Sequence, residues 1–264
     1  MPELPEVEVF RRTFAERGVG HRIESVRLDD PGRLRGARPD ELRAALEQDR
    51  FAGVRRHGKI LFAETGGGAV LVMHFGMTGE LRFPAAGEAE PEGAVLRLTF
   101  ADGSRLAVLS RRKLGWVELA EDAEDYLSAH RIGPDALEIS APAFAERIGA
   151  GRGSLKSALM DQSKIAGIGN VYSDEILFRA GLLPRGRGQD LGAAQLGRLH
   201  ATMQSELERA IETLASGRDL PEDWLAQHRE KGARCPRCGT PLRREKISGR
   251  SAYFCPRCQG LAGT

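Results

Sequence analysis

The sequence predicts an α+β protein in three parts. These are a β-rich amino-terminal region with helices packed on it, a helical middle, and a small metal-held hairpin at the carboxyl end. Three observations predict it. Strand-period segments and turn signals crowd residues 22–120, and apolar residues recur at helical spacing up to about residue 216. All four cysteines fall between residues 235 and 258, in two Cys-x-x-Cys pairs.

The first element is a helix over residues 5–17, where Val7, Phe10 and Phe14 share one face and Gly18 stands where the helix would stop. "VRRHGKILFAE" and "AVLVMHFGM" then read as strands on either side of Gly66-Gly67-Gly68. "VLRLTF" and "RLAVLS" flank Asp102-Gly103, a hairpin signal, and one short helix, "PDELRAALEQ", interrupts the strands. The profile is that of a β-sandwich or barrel with a helix packed on it. At Gly133-Pro134 the period changes, and "GPDALEISAPAF" reads as a hinge. Helical segments follow at 154–160 and 171–180, separated by "DQSKIAGIGN", which is too glycine-rich to be helical. In the last helix Leu196, Leu199, Met203, Leu207, Ile211 and Leu214 recur every three or four residues, ending at Gly217.

Length and charge narrow the function classes. A chain of 264 residues has room for two ordinary domains, and 41% apolar with 29% charged residues is usual for a globular protein. The formal net charge of +2 says little about partners. Between Arg229 and Cys258, however, nine Lys and Arg stand against two acids, the local excess a phosphate-binding surface carries. The longest apolar stretch, "AVLVM", is far too short to cross a bilayer, and no secretory leader is visible. With every cysteine in a Cys-x-x-Cys pair, the expectation is a cytosolic protein with reduced thiols and no membrane partner.

Sixteen residues separate Cys235-x-x-Cys238 from Cys255-x-x-Cys258, the spacing of a four-thiolate zinc site. A tetrahedral set of four sulfurs leaves no open position, so one structural Zn2+ is expected, supplying folding energy to a hairpin too small for its own core. At the other end, removal of Met1 would leave Pro2 with a free secondary amine. An α-amino group ordinarily titrates near pH 8, so a substantial fraction is neutral and nucleophilic at neutral pH. Such an amine can form an iminium with an aldehydic carbon, and Glu3 beside it can shuttle protons.

Five motifs in order carry a resemblance over essentially the whole chain: "PELPEVE" (2–8), "RRHGKILF" (55–62), "HFGMTGELR" (74–82), "DQSKIAGIGNVYSDEILFRAG" (161–181) and "GRSAYFCPRCQ" (249–259). The chain resembles the formamidopyrimidine-DNA glycosylase family, the helix-two-turn-helix base-excision enzymes that include endonuclease VIII. The resemblance implies an amino-terminal β-sandwich catalytic domain over 1–130 and a hinge with a helix-two-turn-helix domain over 131–228. A zinc-ribbon module over 229–264 completes it.

It also implies a DNA glycosylase with abasic-site lyase activity, working as a monomer on damaged double-stranded DNA. Pro2 is then the nucleophile, Glu3 the acid/base and Lys59, on the strand of "HGK", the active-site lysine. Met77 would fill the space left by the everted base. Arg112 and Leu114 would serve the partner base and the kink, because extruding a base costs stacking energy. Asn170, Lys156 and His74 would hold the lesion's phosphates, and Arg250 at the hairpin tip another.

Two features depart from the family pattern. Ser110 and Leu114 stand where an acid and an aromatic residue are usual. Only sixteen residues separate Arg218 from Cys235, so most of the loop that caps 8-oxoguanine in the family is missing. The expectation is excision of oxidised bases and strand cleavage, with weak 8-oxoguanine removal relative to abasic-site cleavage. "PELPEV" favours the formamidopyrimidine branch, while the short cap pulls toward the alternative of oxidised pyrimidines or bulky adducts. A protein that only binds damaged DNA is the alternative from another class.

Overall fold

The computed structural model describes residues 2–260. Met1 and residues 261–264, the end of the expected ribbon module, lie outside them. The chain divides into two compact units, Met1–Arg131 and Ile132–Thr264, so the helical region and the ribbon pack as one body.

The first unit is a β-sandwich. Its elements in order are α1 (Leu4–Arg17), β1 (Ile23–Leu28), β2 (Leu34–Arg35), α2 (Pro39–Leu46), β3 (Phe51–His57), β4 (Ile60–Thr65), β5 (Val70–His74), β6 (Gly79–Arg82), β7 (Ala94–Phe100), β8 (Arg105–Ser110), β9 (Trp116–Ala120) and α3 (Ala123–Ala129). One sheet runs β1-β7-β8-β6 and the other β2-β9-β5-β4-β3. Alternating apolar residues from both sheets meet in one core with α1 and α2. Leu61, Leu71, Met73 and Val117 face Val95, Leu98, Leu106 and Val108, with Val7, Phe14 and Leu42 closing the cluster. Val7 and Phe14 are fully buried and Phe10 partly so, as the helical spacing predicts.

"VRRHGKILFAE" is not one strand. It folds as the β3–β4 hairpin, with His57 opposite Ile60 and only Gly58 and Lys59 in the turn. Gly58 has φ +56°, which a first loop position in a tight hairpin requires and a glycine supplies without strain. Lys59 therefore stands at a turn, not on a strand. Helix α3 went unread from the pattern. Asp122 caps it, accepting from the backbone N–H groups of Glu124 (2.7 Å) and Asp125 (2.9 Å).

The second unit holds α4 (Ala141–Gly149), α5 (Leu155–Met160), α6 (Asn170–Arg179), α7 (Ala193–Ala215) and the ribbon strands β10 (Arg243–Ile247) and β11 (Arg250–Phe254). The expected hinge over 133–144 is irregular only in its first half, because Ser140 caps α4 and Ala141 begins it. Leu196, Leu199, Met203, Leu207 and Ile211 form the buried stripe of α7, as the periodicity predicts. The glycine-rich segment between α5 and α6 is a loop. The Gln162 amide laces it, donating to the carbonyls of Met160 and Ile168 (both 2.8 Å) and accepting from the Gly167 N–H (3.0 Å).

Candidate active site and nucleic-acid interface

At the amino terminus, Pro2 lies one residue ahead of the N-cap of α1. Glu3 occupies that cap and is 1% exposed, with its backbone N–H donating to Glu6 Oε2 at 2.9 Å. "PELPEVE" thus does three things at once. Pro5 sits in the first helical turn, Glu6 reaches back to the cap, and Val7 and Glu8 turn toward the sandwich. Glu8 anchors the helix to β3, with Arg56 Nε at 3.3 Å and Arg11 Nη2 at 2.8 Å. Burial pushes the Glu8 carboxyl up, but Arg11, Arg56 and Arg12 outweigh it and hold the group below the ordinary carboxylate range.

The sheet register brings His74 beside Ile60, and so near the turn that carries Lys59. The other neighbour of His74 is Trp116, whose ring stacks on the imidazole at 5.3 Å and 11°; the Arg35 guanidinium lies 4.3 Å over the indole. Burial, aided by the charges of Lys59 and Arg35, pushes the imidazole down to about 4. The ring is therefore neutral at physiological pH. Nδ1 lies 3.2 Å from the Gly76 N–H and accepts from it, which leaves the hydrogen on Nε2. His74 thus offers an uncharged donor. Arg35 and Trp116 escaped the sequence reading because their stack exists only through cross-strand register.

Met77 and Leu114 are 38% and 46% exposed, and they are the exposed large hydrophobic side chains among the described residues. They sit on neighbouring loops, β5–β6 and β8–β9, and the Arg112 N–H donates to Thr78 Oγ1 at 3.2 Å across the gap. Gly76 and Gly115 allow this approach, and Gly79 tightens the β5–β6 loop on itself. A Cβ on Gly76 would lie 2.4 Å from the Leu114 carbonyl carbon, one on Gly115 2.8 Å from His74 O, and one on Gly79 2.0 Å from Phe75 O. Ser110 is buried, and its Oγ accepts from the Gly115 N–H at 2.8 Å to close the β8–β9 loop.

In the second unit Asn170 opens helix α6, behind Gly167 (φ +116°) and the N-cap Gly169. Its Oδ1 is buried with no hydrogen-bond partner among the described residues, an unmet polar atom at the positive end of a helix. Lys156 departs from its expected role as a phosphate ligand. Its side chain is wholly buried, and Nζ donates to Asp174 Oδ1 (2.6 Å), Ser173 Oγ (2.9 Å) and the Asn170 carbonyl (3.1 Å). A lysine placed this way ties α5 to α6. Burial pushes the Asp174 carboxyl up, while Lys156 and Arg229 pull it back. Arg250 opens β11 just past Ser248 (φ +47°) and Gly249 (φ +76°), the left-handed pair of a type I′ turn. It pairs with Ile247 through the ladder, while its exposed side chain makes no ion pair or hydrogen bond within the described residues.

The four cysteine sulfurs lie within 4.8 Å of one another, with Cys235–Cys258 at 3.9 Å and Cys238–Cys255 at 3.6 Å. A tetrahedral ion with bonds of about 2.3 Å needs sulfur separations of about 3.8 Å, so the set fits zinc. The Cys258 N–H donates to Cys255 Sγ at 3.4 Å, and the Thr240 hydroxyl lies 3.3 Å from Cys238 Sγ. Cys235, Cys238, Cys255 and Cys258 hold one structural zinc ion, packed against Phe178 of α6 and Leu225. The connection leading into the ribbon is folded down as well. Leu225–His228 form a 3₁₀ turn, Trp224 and Leu225 are fully buried, and the Glu175 carboxylate accepts from the Ala226 N–H at 2.9 Å.

Comparison with known proteins places the chain. Family models match in order along it: "Formamidopyrimidine-DNA glycosylase N-terminal domain" over 1–117, "Formamidopyrimidine-DNA glycosylase H2TH domain" over 132–221, and "Zinc finger found in FPG and IleRS" over 232–260. A formamidopyrimidine-DNA glycosylase of Gluconobacter oxydans is 35% identical, covering 98% of this chain and 100% of its own. One from Geobacillus kaustophilus is 36% identical with the same coverage. A solved Lactococcus lactis Fpg (MutM), bound to DNA containing N7-benzyl-Fapy-dG, superposes with a TM-score of 0.86 at 29% identity, covering 98% of this chain and 99% of that one. With its three matched segments in order and relatives alike over nearly the whole length, the chain belongs to the formamidopyrimidine-DNA glycosylase family.

Proposed function

We propose that the protein is a bifunctional DNA glycosylase and abasic-site lyase that acts as a monomer on damaged double-stranded DNA in the bacterial cytosol. The observation that carries this reading is the Pro2-Glu3 pair, a proline next to a buried carboxyl at the cap of α1. Once Met1 is removed, the Pro2 nitrogen is a secondary amine with a large neutral fraction at neutral pH. It attacks C1′ of the damaged nucleotide. The glycosidic bond breaks, the base departs with a proton, and the sugar ring opens to an iminium between Pro2 and C1′. Loss of the C2′ proton expels the 3′ phosphate, a second elimination expels the 5′ phosphate, and hydrolysis frees Pro2. Glu3 is the adjacent group that gives and takes these protons.

Lys59, His74, Asn170 and Arg250 are the proposed phosphate ligands, His74 as a neutral donor. Met77 and Leu114 fill the vacated stack and Arg112 meets the partner base. The zinc ion supplies folding energy to the ribbon and takes no part in the reaction.

The short connection supports a lesion preference away from 8-oxoguanine. With Trp224, Leu225 and Ala226 committed to α6, residues 219–234 have little chain left to close over an everted base. Duplexes holding formamidopyrimidine, dihydrouracil, 8-oxoguanine or an abasic site should be cleaved in single turnover, with 8-oxoguanine the slowest by at least about tenfold relative to the abasic site. Equal rates on 8-oxoguanine and the abasic site contradict the lesion preference. Tight binding without cleavage of any duplex contradicts the enzyme and favours a damage-binding protein.

A further inference from the structure

The ribbon hairpin has two strands and almost no core of its own, and a lone hairpin is marginally stable in water. The Arg250 side chain projects from it with no partner in the described residues. Its usefulness as a phosphate ligand therefore depends on what fixes the hairpin. Several contacts do so, among them the packing of the zinc cysteines on Phe178 and the Arg185–Glu245 ion pair on β10. Two ties bracket Arg250 in the chain.

The deep tie is Asp174, wholly buried on α6. One carboxylate oxygen takes the Lys156 ammonium at 2.6 Å. The other accepts from Arg229 Nε at 3.0 Å and from the Tyr253 backbone N–H of β11 at 3.1 Å. Three segments far apart in sequence thus close on one carboxylate. The Arg229 guanidinium also lies 5.2 Å over the Tyr253 ring. The shallow tie is at the tip, where Ser157 of α5 and Ser248 share a hydrogen bond of 2.7 Å between their hydroxyls. Ser157 is itself held by Ser154, the cap of α5, at 2.8 Å.

Arg250 lies between anchored positions 248 and 253, on a turn that directly precedes it. The helices carrying both anchors, α5 and α6, flank the loop that ends at Asn170. Buried ion pairs add little net stability over apolar packing, so fixed geometry is what this arrangement supplies. We propose that Asp174 and Ser157 are positioning residues that hold Arg250 in register with the start of α6, so that a phosphate meets a preformed clamp. The inference rests on the reading of Arg250 as a phosphate contact.

The test is a double-mutant cycle on binding to a duplex carrying a tetrahydrofuran abasic analogue, measured across a salt series, with zinc content and melting recorded for each variant. Arg250→Ala should weaken binding about tenfold and lower the salt slope by about one. Ser157→Ala and Asp174→Asn, each retaining zinc, should weaken it about three- to tenfold and lower the slope likewise. Combined with Arg250→Ala, neither should cost more than Arg250→Ala alone. Ser157→Thr, which keeps the hydroxyl, should restore wild-type binding. Should Asp174→Asn lose its zinc or its fold, the Ser157 pair carries the test alone. Losses that multiply in the double variants, or Ser157→Ala binding as wild type, overturn the positioning role. Unchanged affinity and slope in Arg250→Ala itself overturn the functional reading of that arginine, a distinct failure.

Discussion

The His74 ring sits between two cations, Lys59 and Arg35, and against Trp116, and that setting determines its charge. Its folded pKa, about 4, lies below the ordinary 6.5, so folding favours the neutral form. The stability this adds is fully present above about pH 6.5 and is lost as the pH falls through 4. An NMR titration of the His74 ring should show a midpoint near 4 with Nε2 protonated throughout neutral pH, and a midpoint near 6.5 would contradict the buried stack. Single residues were legible where chemistry dictates type and spacing, as with the four cysteines. Lys156 was not. A lysine in a phosphate-binding motif looks the same in sequence whether its ammonium meets a phosphate or, as here, a carboxylate eighteen positions on.

At the scale of elements, the proposed wedge is a joint product of two loops. Met77 and Leu114 are exposed on loops whose backbones touch at Gly76 and Gly115, and the Thr78–Arg112 bond ties the loops together. Gly76→Ala would add a Cβ 2.4 Å from the Leu114 carbonyl carbon at a position with φ +59°. The expected cost is about 1–3 kcal/mol in stability. Base release should fall by more than cleavage at a preformed abasic site, because only the first needs a base extruded. Thermal melting and single-turnover rates on the two substrates check this. The long elements were readable because period and turn chemistry agree, as in α1, α7 and the β7–β8 hairpin. The β3–β4 turn was not, since Gly58 and Lys59 lie inside an otherwise continuous strand-like run. Nor was the start of α4, where Ser140 caps a helix inside a proline- and alanine-rich stretch that reads as a linker.

Over the whole molecule the division of labour follows the two units. The sandwich carries the proposed catalytic residues Pro2, Glu3 and Lys59, with His74, Met77 and Leu114. The second unit carries Asn170, the zinc ribbon and Arg250. The three-part plan was legible because each part has its own signature: strand period, helical period and cysteine spacing. The docking of the ribbon on α6 was not, because the contacts that make it, Asp174 to Tyr253 and Phe178 to the zinc cysteines, join residues about sixty to eighty positions apart with no pattern between them. The account stands or falls on the chemistry assigned to Pro2. The wild-type protein, with intact mass showing Met1 removed, should be mixed with abasic-site duplex and borohydride, and the adduct digested and sequenced by mass spectrometry. A reduced sugar linked to the Pro2 nitrogen is the predicted result. No adduct, or an adduct on a lysine with Pro2 unmodified, would contradict it.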